Sequence, residues 1–244
     1  MAAHKTFLAT ISRASALAGR HPHVTFRAAF MEALSKQKED YASLRIKVRP
    51  TLPQKTWKAT PSEVKAFVEP ASLSEEELEA MNQSPNKRAI ALARGNCQEK
   101  VGMNHMQETV KVKCQQKSCV AQTPEVDGVV IEFRGRIDLL ADGTVIEVKT
   151  RMGPEARQNE YDIDQLCCYV HALKAEKGIL REILSTGEVC DTEYSGEELE
   201  ERWIILVGRL KRVSELLNGL DKCSSTTLES LRKKKEFAPS LEEF

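Results

Sequence analysis

Three charged residues sit inside a stretch that otherwise reads as a buried β-hairpin. In "RGRIDLLADGTVIEVKT", residues 134–150, Asp138, Glu147 and Lys149 are set among Ile, Leu and Val. Charges are seldom fully buried unless they are paired or hold a metal, so this segment constrains the chain more than any other. "ADGT" forms the turn, because Asp-Gly readily supplies the positive φ that two-residue hairpins need. Alternation along a strand then sends Glu147 and Lys149 to one face and Val148 to the other. The turn brings Asp138, on the first hairpin strand, beside Glu147. Two neighbouring carboxylates repel unless a cation intervenes, and hard oxygen ligands suit Mg²⁺ or Mn²⁺. A lysine beside such ions can orient an attacking water and offset charge growing on a phosphoryl group. Taken alone, the triplet also fits a solvent-facing hairpin with an ordinary Glu–Lys pair.

At 244 residues the chain is long enough for one substantial core, and its 41% hydrophobic and 30% charged content is that of a soluble globular protein. Formal net charge is zero, so an anionic partner must be held by a local basic patch or by metal ions. No apolar run approaches the ~18 residues needed to span a bilayer. The seven cysteines are scattered, with Cys167 and Cys168 adjacent and no signal peptide ahead of them. That pattern predicts free thiols in a reducing compartment, cytoplasm or nucleus. Cys114 and Cys119 approach metal-ligand spacing, but no second pair completes a zinc or iron–sulfur set, and buried small hydrophobes are the simpler reading. The first 31 residues contain Lys5, Arg13, Arg20 and Arg27 and no acid, which also describes a mitochondrial targeting segment. The reading preferred is a structural helix, Thr6 to Ala18, ended by Gly19 and a Pro22 turn.

Along the chain, residues 24–44 read as a second helix and residues 48–75 as a connector rich in Pro. Ser74 and Glu77 have the form of a capping box ahead of a short acidic helix, "SEEELEAM". A longer helix is expected from Pro85 to Met106. From Glu108 the texture changes to strands: "TVKVKC", "SCVAQ", "GVVIEFRGRIDLL" and "TVIEVKT". A helix from Pro154 to Lys177, strands "GILREILST" and "EVCDTEY", and an amphipathic helix over 196–219 complete the order. Residues 223–244 form a basic tail. These elements predict a single α/β (α+β) domain over residues 1–222.

The hairpin resembles the catalytic motif of the PD-(D/E)XK nuclease superfamily, which places an acid on one strand and acid-x-Lys on the next: here Asp138, Glu147 and Lys149, with Ile137 in place of the eponymous proline. "ALARGNCQE" (91–99) is similar to a helix of RecB-like and lambda-type exonucleases in which a Gly is followed four residues later by a metal-linked Glu, which assigns Glu99. "QLCCY" (165–169) matches their Gln-x-x-x-Tyr helix, where Gln165 and Tyr169 share a face. "SRASALAGRHPHVTFRAAFME" (12–32) looks like the opening of the YqaJ-like viral recombinase nucleases, with His23 where an aromatic is usual.

The resemblance implies a restriction-endonuclease-like core, a central mixed β-sheet flanked by helices. It implies Mg²⁺-dependent hydrolysis of DNA phosphodiester bonds, with Mn²⁺ as a substitute. Glu99, Asp138, Glu147 and the carbonyl of Val148 would hold one or two ions. Lys149 would position or deprotonate the nucleophile. Gln165 and Tyr169 would contact substrate or brace the ligands, and Ser12 and Arg13 would bind a terminal phosphate. Arg134, Arg136, Arg151 and Arg157 are basic candidates along the substrate path. A DNA end-processing exonuclease in recombination, replication or repair is the first reading. A structure-selective or RNA-directed endonuclease on the same fold is the second, and a noncatalytic nucleic-acid-binding module the third. Lambda-type relatives form rings, so a homo-oligomer or a recombination partner protein stays open.

Overall fold

The computed structural model describes residues 4–37, 40–44, 114–151 and 153–222. The connector, the acidic helix, the helix expected over Pro85–Met106 with Glu99, nearly all of "TVKVKC" and the basic tail lie outside these residues. The α/β expectation holds, with mixed sheets flanked by helices.

The chain enters as a strand, β1 (Lys5–Thr10), where a helix was expected from Thr6. The reason lies in Phe7 and Ala9, two apart and both buried, together with Thr and Phe, which favour extended backbone. Its parallel partner is β4 (Val129–Arg136), in the register Lys5↔Val129 to Thr10↔Arg134. Buried Gln37 covers the outer edge of β1: its amide accepts from Leu8 N (3.0 Å) and donates to Leu8 O (2.7 Å). What remains of the expected helix is a 3-10 turn at Ile11–Arg13 and the short α1 (Ala14–Leu17). Gly19 ends it as expected, at φ +70°, where a side chain would be strained. The second helix, α2 (Phe26–Ser35), is shorter than expected and is capped by the Thr25 hydroxyl, which accepts from Ala28 N.

β3 (Ser118–Gln122) pairs antiparallel with β4, giving a three-stranded sheet in the order β1-β4-β3. The run expected as one strand over 128–140 breaks at Ile137–Asp138 and resumes as β5 (Leu139–Ala141). That break carries the chain into a second sheet, β2-β5-β6-β7-β8. Here β2 is Cys114–Gln115, β6 is Thr144–Thr150, β7 is Lys177–Ile183 and β8 is Val189–Ser195. The β5–β6 turn is the expected one, Asp142 at φ +45° and Gly143 at φ +76°, both positive as a type I′ turn requires.

β6 and β7 run parallel, so a crossover must join them. It is helix α3 (Glu160–Leu173). α3 stops four residues short of the expected Lys177 because Lys174 turns left-handed (φ +50°) and Lys177 pairs with Thr144 in β7. Helix α4 (Gly196–Asp221) opens with a capping box between Ser195 and Glu198 and packs on α3, β7 and β8. The main core lies between α1–α4 and the sheets, and includes Phe7, Leu17, Phe30, Phe133, Val145, Leu166, Cys168, Leu206 and Val213. Leu139, Ile146, Val148 and Ile183 form a separate cluster.

Candidate functional site

The two clusters show how β6 is divided. Ile146 and Val148 point into the smaller one, whereas Val145 points into the main core. Alternation therefore turns Glu147 and Lys149 toward α3. Glu147 is 3% exposed and Lys149 22% exposed. Val148 lies on the opposite face, as expected. The β5–β6 register pairs Leu139 with Ile146, and one step further sets Asp138 opposite Glu147. Asp138 occupies the bend before β5, and its Oδ2 accepts the Val148 N–H at 2.9 Å. That bond fixes the carboxylate across the end of the hairpin.

A chain of polar contacts then runs outward from Lys149. Its Nζ donates to Glu147 Oε1 at 2.7 Å and to Gln165 Oε1 at 3.0 Å. Gln165 Nε2 donates to the Tyr169 hydroxyl at 3.2 Å, which donates to the Arg136 carbonyl at 3.0 Å. The i, i+4 spacing on α3 does bring Gln165 and Tyr169 together, and their line of donors fixes where the ammonium points. Tyr169 is buried, and Gly135 allows it to be there: a Cβ at that position would stand 2.8 Å from both Tyr169 Cε1 and Ile11 Cδ1. Ile11 and Tyr169 thus flank Gly135 together, and the N-terminal 3-10 turn packs on α3 and β4, with exposed Ser12 next in sequence. Arg13 is paired with Glu32 at 2.7 Å and remains 34% exposed.

Behind Lys149 lies a second set of charges that the sequence reading did not single out. Asp162 Oδ1 is 3.8 Å from Lys149 Nζ, and Asp162 Oδ2 is 2.8 Å from Arg151. Arg151 also pairs with Glu182, which is fully buried and takes the backbone N–H groups of Arg157 (3.1 Å) and Gln158 (3.2 Å). Arg151 itself is 8% exposed. The sequence reading set it on the substrate path, but its guanidinium is engaged inside the protein and braces α3 against β7. Arg134 and Arg136 are exposed on β4, and Arg157 is exposed in the loop before α3.

The electrostatics follow from burial. Asp138, Glu147, Asp162 and Glu182 face Lys149 and Arg151, four carboxylates against two cations. Burial pushes the Glu147 carboxyl up to about 8; the Asp138 charge adds to this and Lys149 opposes it. Burial would release the proton of Lys149, but Glu147, Asp162 and Asp138 more than offset it and raise its pKa. Glu147 Oε2 is buried and has no hydrogen-bond partner among the described residues. A buried carboxylate oxygen left bare beside a second carboxylate is what a divalent cation would satisfy. The donor set fits such an ion: hard oxygens from Asp138 and Glu147, with the Val148 carbonyl next in the chain. Among the described residues no third His, Cys, Asp or Glu completes a ligand group; Glu99, the expected third, lies outside them.

Other expectations resolve more simply. Cys119, Cys167 and Cys168 are buried free thiols, and burial raises Cys119 to about 11, the behaviour of small core residues. Among the described residues no helix is long and apolar enough to cross a membrane.

No family model and no curated protein matches the sequence. Among solved structures the chain is similar to SSO0001, at 20% identity and a TM-score of 0.41 over 63% of this chain and 70% of that one. It is also similar to an alkaline exonuclease, LHK-Exo, from Laribacter hongkongensis, at 14% identity and a TM-score of 0.37 over 70% of this chain and 91% of that one. The same exonuclease in complex with dAMP gives 13% identity and a TM-score of 0.37 over 71% and 91%. At these identities and scores, function rests on the residues of the site itself.

Proposed function

We propose that the chain is a metal-dependent nuclease that hydrolyses DNA phosphodiester bonds and works from strand ends. The observation that carries this is the bare, buried Glu147 Oε2 on the hairpin where Asp138 and Lys149 converge. Asp138, Glu147 and the Val148 carbonyl would hold Mg²⁺ or Mn²⁺, with Glu99 as a further ligand. The bound ion would supply Lewis acidity at a phosphoryl oxygen and lower the pKa of water.

The protein's own groups do the rest. Lys149 donates to Glu147 Oε1 and Gln165 Oε1, and Glu147, Asp162 and Asp138 raise its pKa, which supports its use as a hydrogen-bond donor and a positive charge. Its ammonium, aimed by Gln165 and Tyr169, orients the attacking water and offsets charge growing on the phosphoryl oxygens. Asp162 and Arg151 hold the far side of that arrangement. The end-directed part of the reading is supported by Ser12 and Arg13, which lie on the 3-10 turn that packs on α3.

The test uses linear duplexes labelled at the 5′ or 3′ end, with and without a 5′-phosphate, beside covalently closed circles. Degradation from the ends, faster on phosphorylated ends and absent on circles, is expected, and Ser12→Ala should weaken the preference. Circles cut as fast as linear DNA would overturn the end-directed reading in favour of an endonuclease.

A further inference from the structure

The Tyr161 hydroxyl hydrogen-bonds Arg151 and lies within reach of the charges of Asp162 and Lys149, so its ring borders the candidate centre. The His21 ring lies on it, centroids 4.4 Å apart and planes 27° from parallel. His23 meets both rings edge-on, at 6.1 Å from His21 and 6.5 Å from Tyr161. His21 and Tyr161 are half-buried and His23 is exposed. The loop that carries the two histidines is tied down, because Arg20 pairs with Glu160 (2.5 Å) and with fully buried Asp164 (3.5 Å) on α3.

His21 is also fixed about its own axis. Its Nδ1 accepts the backbone N–H groups of His23 and Val24, each at 3.1 Å. A ring nitrogen that accepts two N–H groups cannot carry a proton, so this network assigns the neutral tautomer with its hydrogen on Nε2. Burial, and then the charges of His23 and Arg13, lower its pKa in the same direction. A histidine pinned in this way is a poor acid or base; what it offers is a neutral ring face of set orientation. Beside it is a centre with more carboxylates than cations, which repels phosphate until a metal is bound. Aromatic faces hold a nucleic acid by its bases with little regard to which base it is.

We propose that His21, Tyr161 and His23 form a stacking rest for a nucleobase of the strand whose phosphate reaches Asp138, Glu147 and Lys149. This inference rests on the nuclease reading. The rest holds one base near the strand end through ring contact, without regard to base identity, and positions the phosphate beside it.

The experiment uses the full chain carrying Asp138→Asn, which keeps the duplex uncleaved, with 2-aminopurine at each of the terminal positions in turn. Stacking quenches that base. Quenching at one position is expected, with loss of the quench and about ten-fold weaker binding in His21→Asn. Asn keeps an acceptor for the two backbone N–H groups and removes the ring, so the loop should hold; His21→Phe, which keeps a ring, should retain the quench. Tyr161→Leu gives a second reading if His21→Asn loosens the loop. A duplex that binds with no position quenched, or a quench that persists in both His21→Asn and Tyr161→Leu, overturns the stacking rest while leaving the nuclease reading intact. Failure of the unmutated chain to bind or cleave DNA overturns both.

Discussion

Lys149 satisfies only one of the two carboxylate oxygens of Glu147: its Nζ stands 2.7 Å from Oε1, while Oε2 is buried with no hydrogen-bond partner among the described residues. The pair is therefore incomplete, and its incompleteness has a pH signature. Folded, without metal, the Glu147 carboxyl titrates near 8, against 4.5 for the ordinary group. Between those values the folded state binds more protons than the unfolded one. Stability of the metal-free protein should therefore fall as pH rises from about 4.5 to about 8. Urea denaturation in chelator across that window reads it. Glu147→Gln should flatten the slope, and Mg²⁺ should stabilise the unmutated chain most at the upper end. An unchanged slope in Glu147→Gln would place the titration elsewhere.

Lys149→Ala should lower the single-turnover rate about 10²-fold or more, as losing a donor aimed at developing charge commonly does, with little change in DNA affinity. Gln165→Ala should give a milder defect, because it frees the ammonium's direction and leaves its charge. Equal losses of binding and turnover in Lys149→Ala would make the lysine a phosphate anchor.

Arg151 offers a sharper contrast. As a brace between Asp162 and fully buried Glu182, its replacement by Ala leaves two carboxylates without their partner, which should cost about 3–5 kcal/mol of stability. As a substrate contact, it would instead change affinity and leave the urea midpoint alone. Equilibrium unfolding of Arg151→Ala separates the two.

Much of this arrangement was legible in the sequence. "SCVAQ" and "TVIEVKT" are strands with the expected ends, since both are short runs bounded by turn-like breaks and the second is rich in β-branched residues. The adjacency of Asp138 and Glu147 followed from counting outward from one Asp-Gly turn. The strand at Lys5–Thr10 was missed because six residues carry too little alternation to outweigh the helical pattern after them, and its partner lies more than a hundred residues away. Asp162 and Glu182 were missed because they lie on different elements, α3 and β7, and are joined through Arg151. Glu182, an acid inside the apolar run "GILREIL", carried the same signal as Glu147 and could have been found by it.

The thiols give a further check on burial. Cys119, Cys167 and Cys168 have pKa values raised by burial, so a thiol reagent at neutral pH should leave them unmodified in the native protein and label them on unfolding. Among the described cysteines, partly exposed Cys190 should react first. Mass spectrometry of the labelled peptides decides it, and rapid native labelling of Cys167 or Cys168 would mean that α3 is not packed as described.

In the proposed reaction Asp138 and Glu147 hold a divalent cation that hydrolysis requires. Cleavage of a labelled linear duplex tests it most directly, using the unmutated chain, Asp138→Asn and Glu147→Gln, each in Mg²⁺ and in excess EDTA. Cleavage by the unmutated chain is expected in Mg²⁺, with loss in EDTA, return with Mn²⁺, and none by either folded variant. Undiminished cleavage in EDTA, or by Asp138→Asn, would contradict this role for the cation.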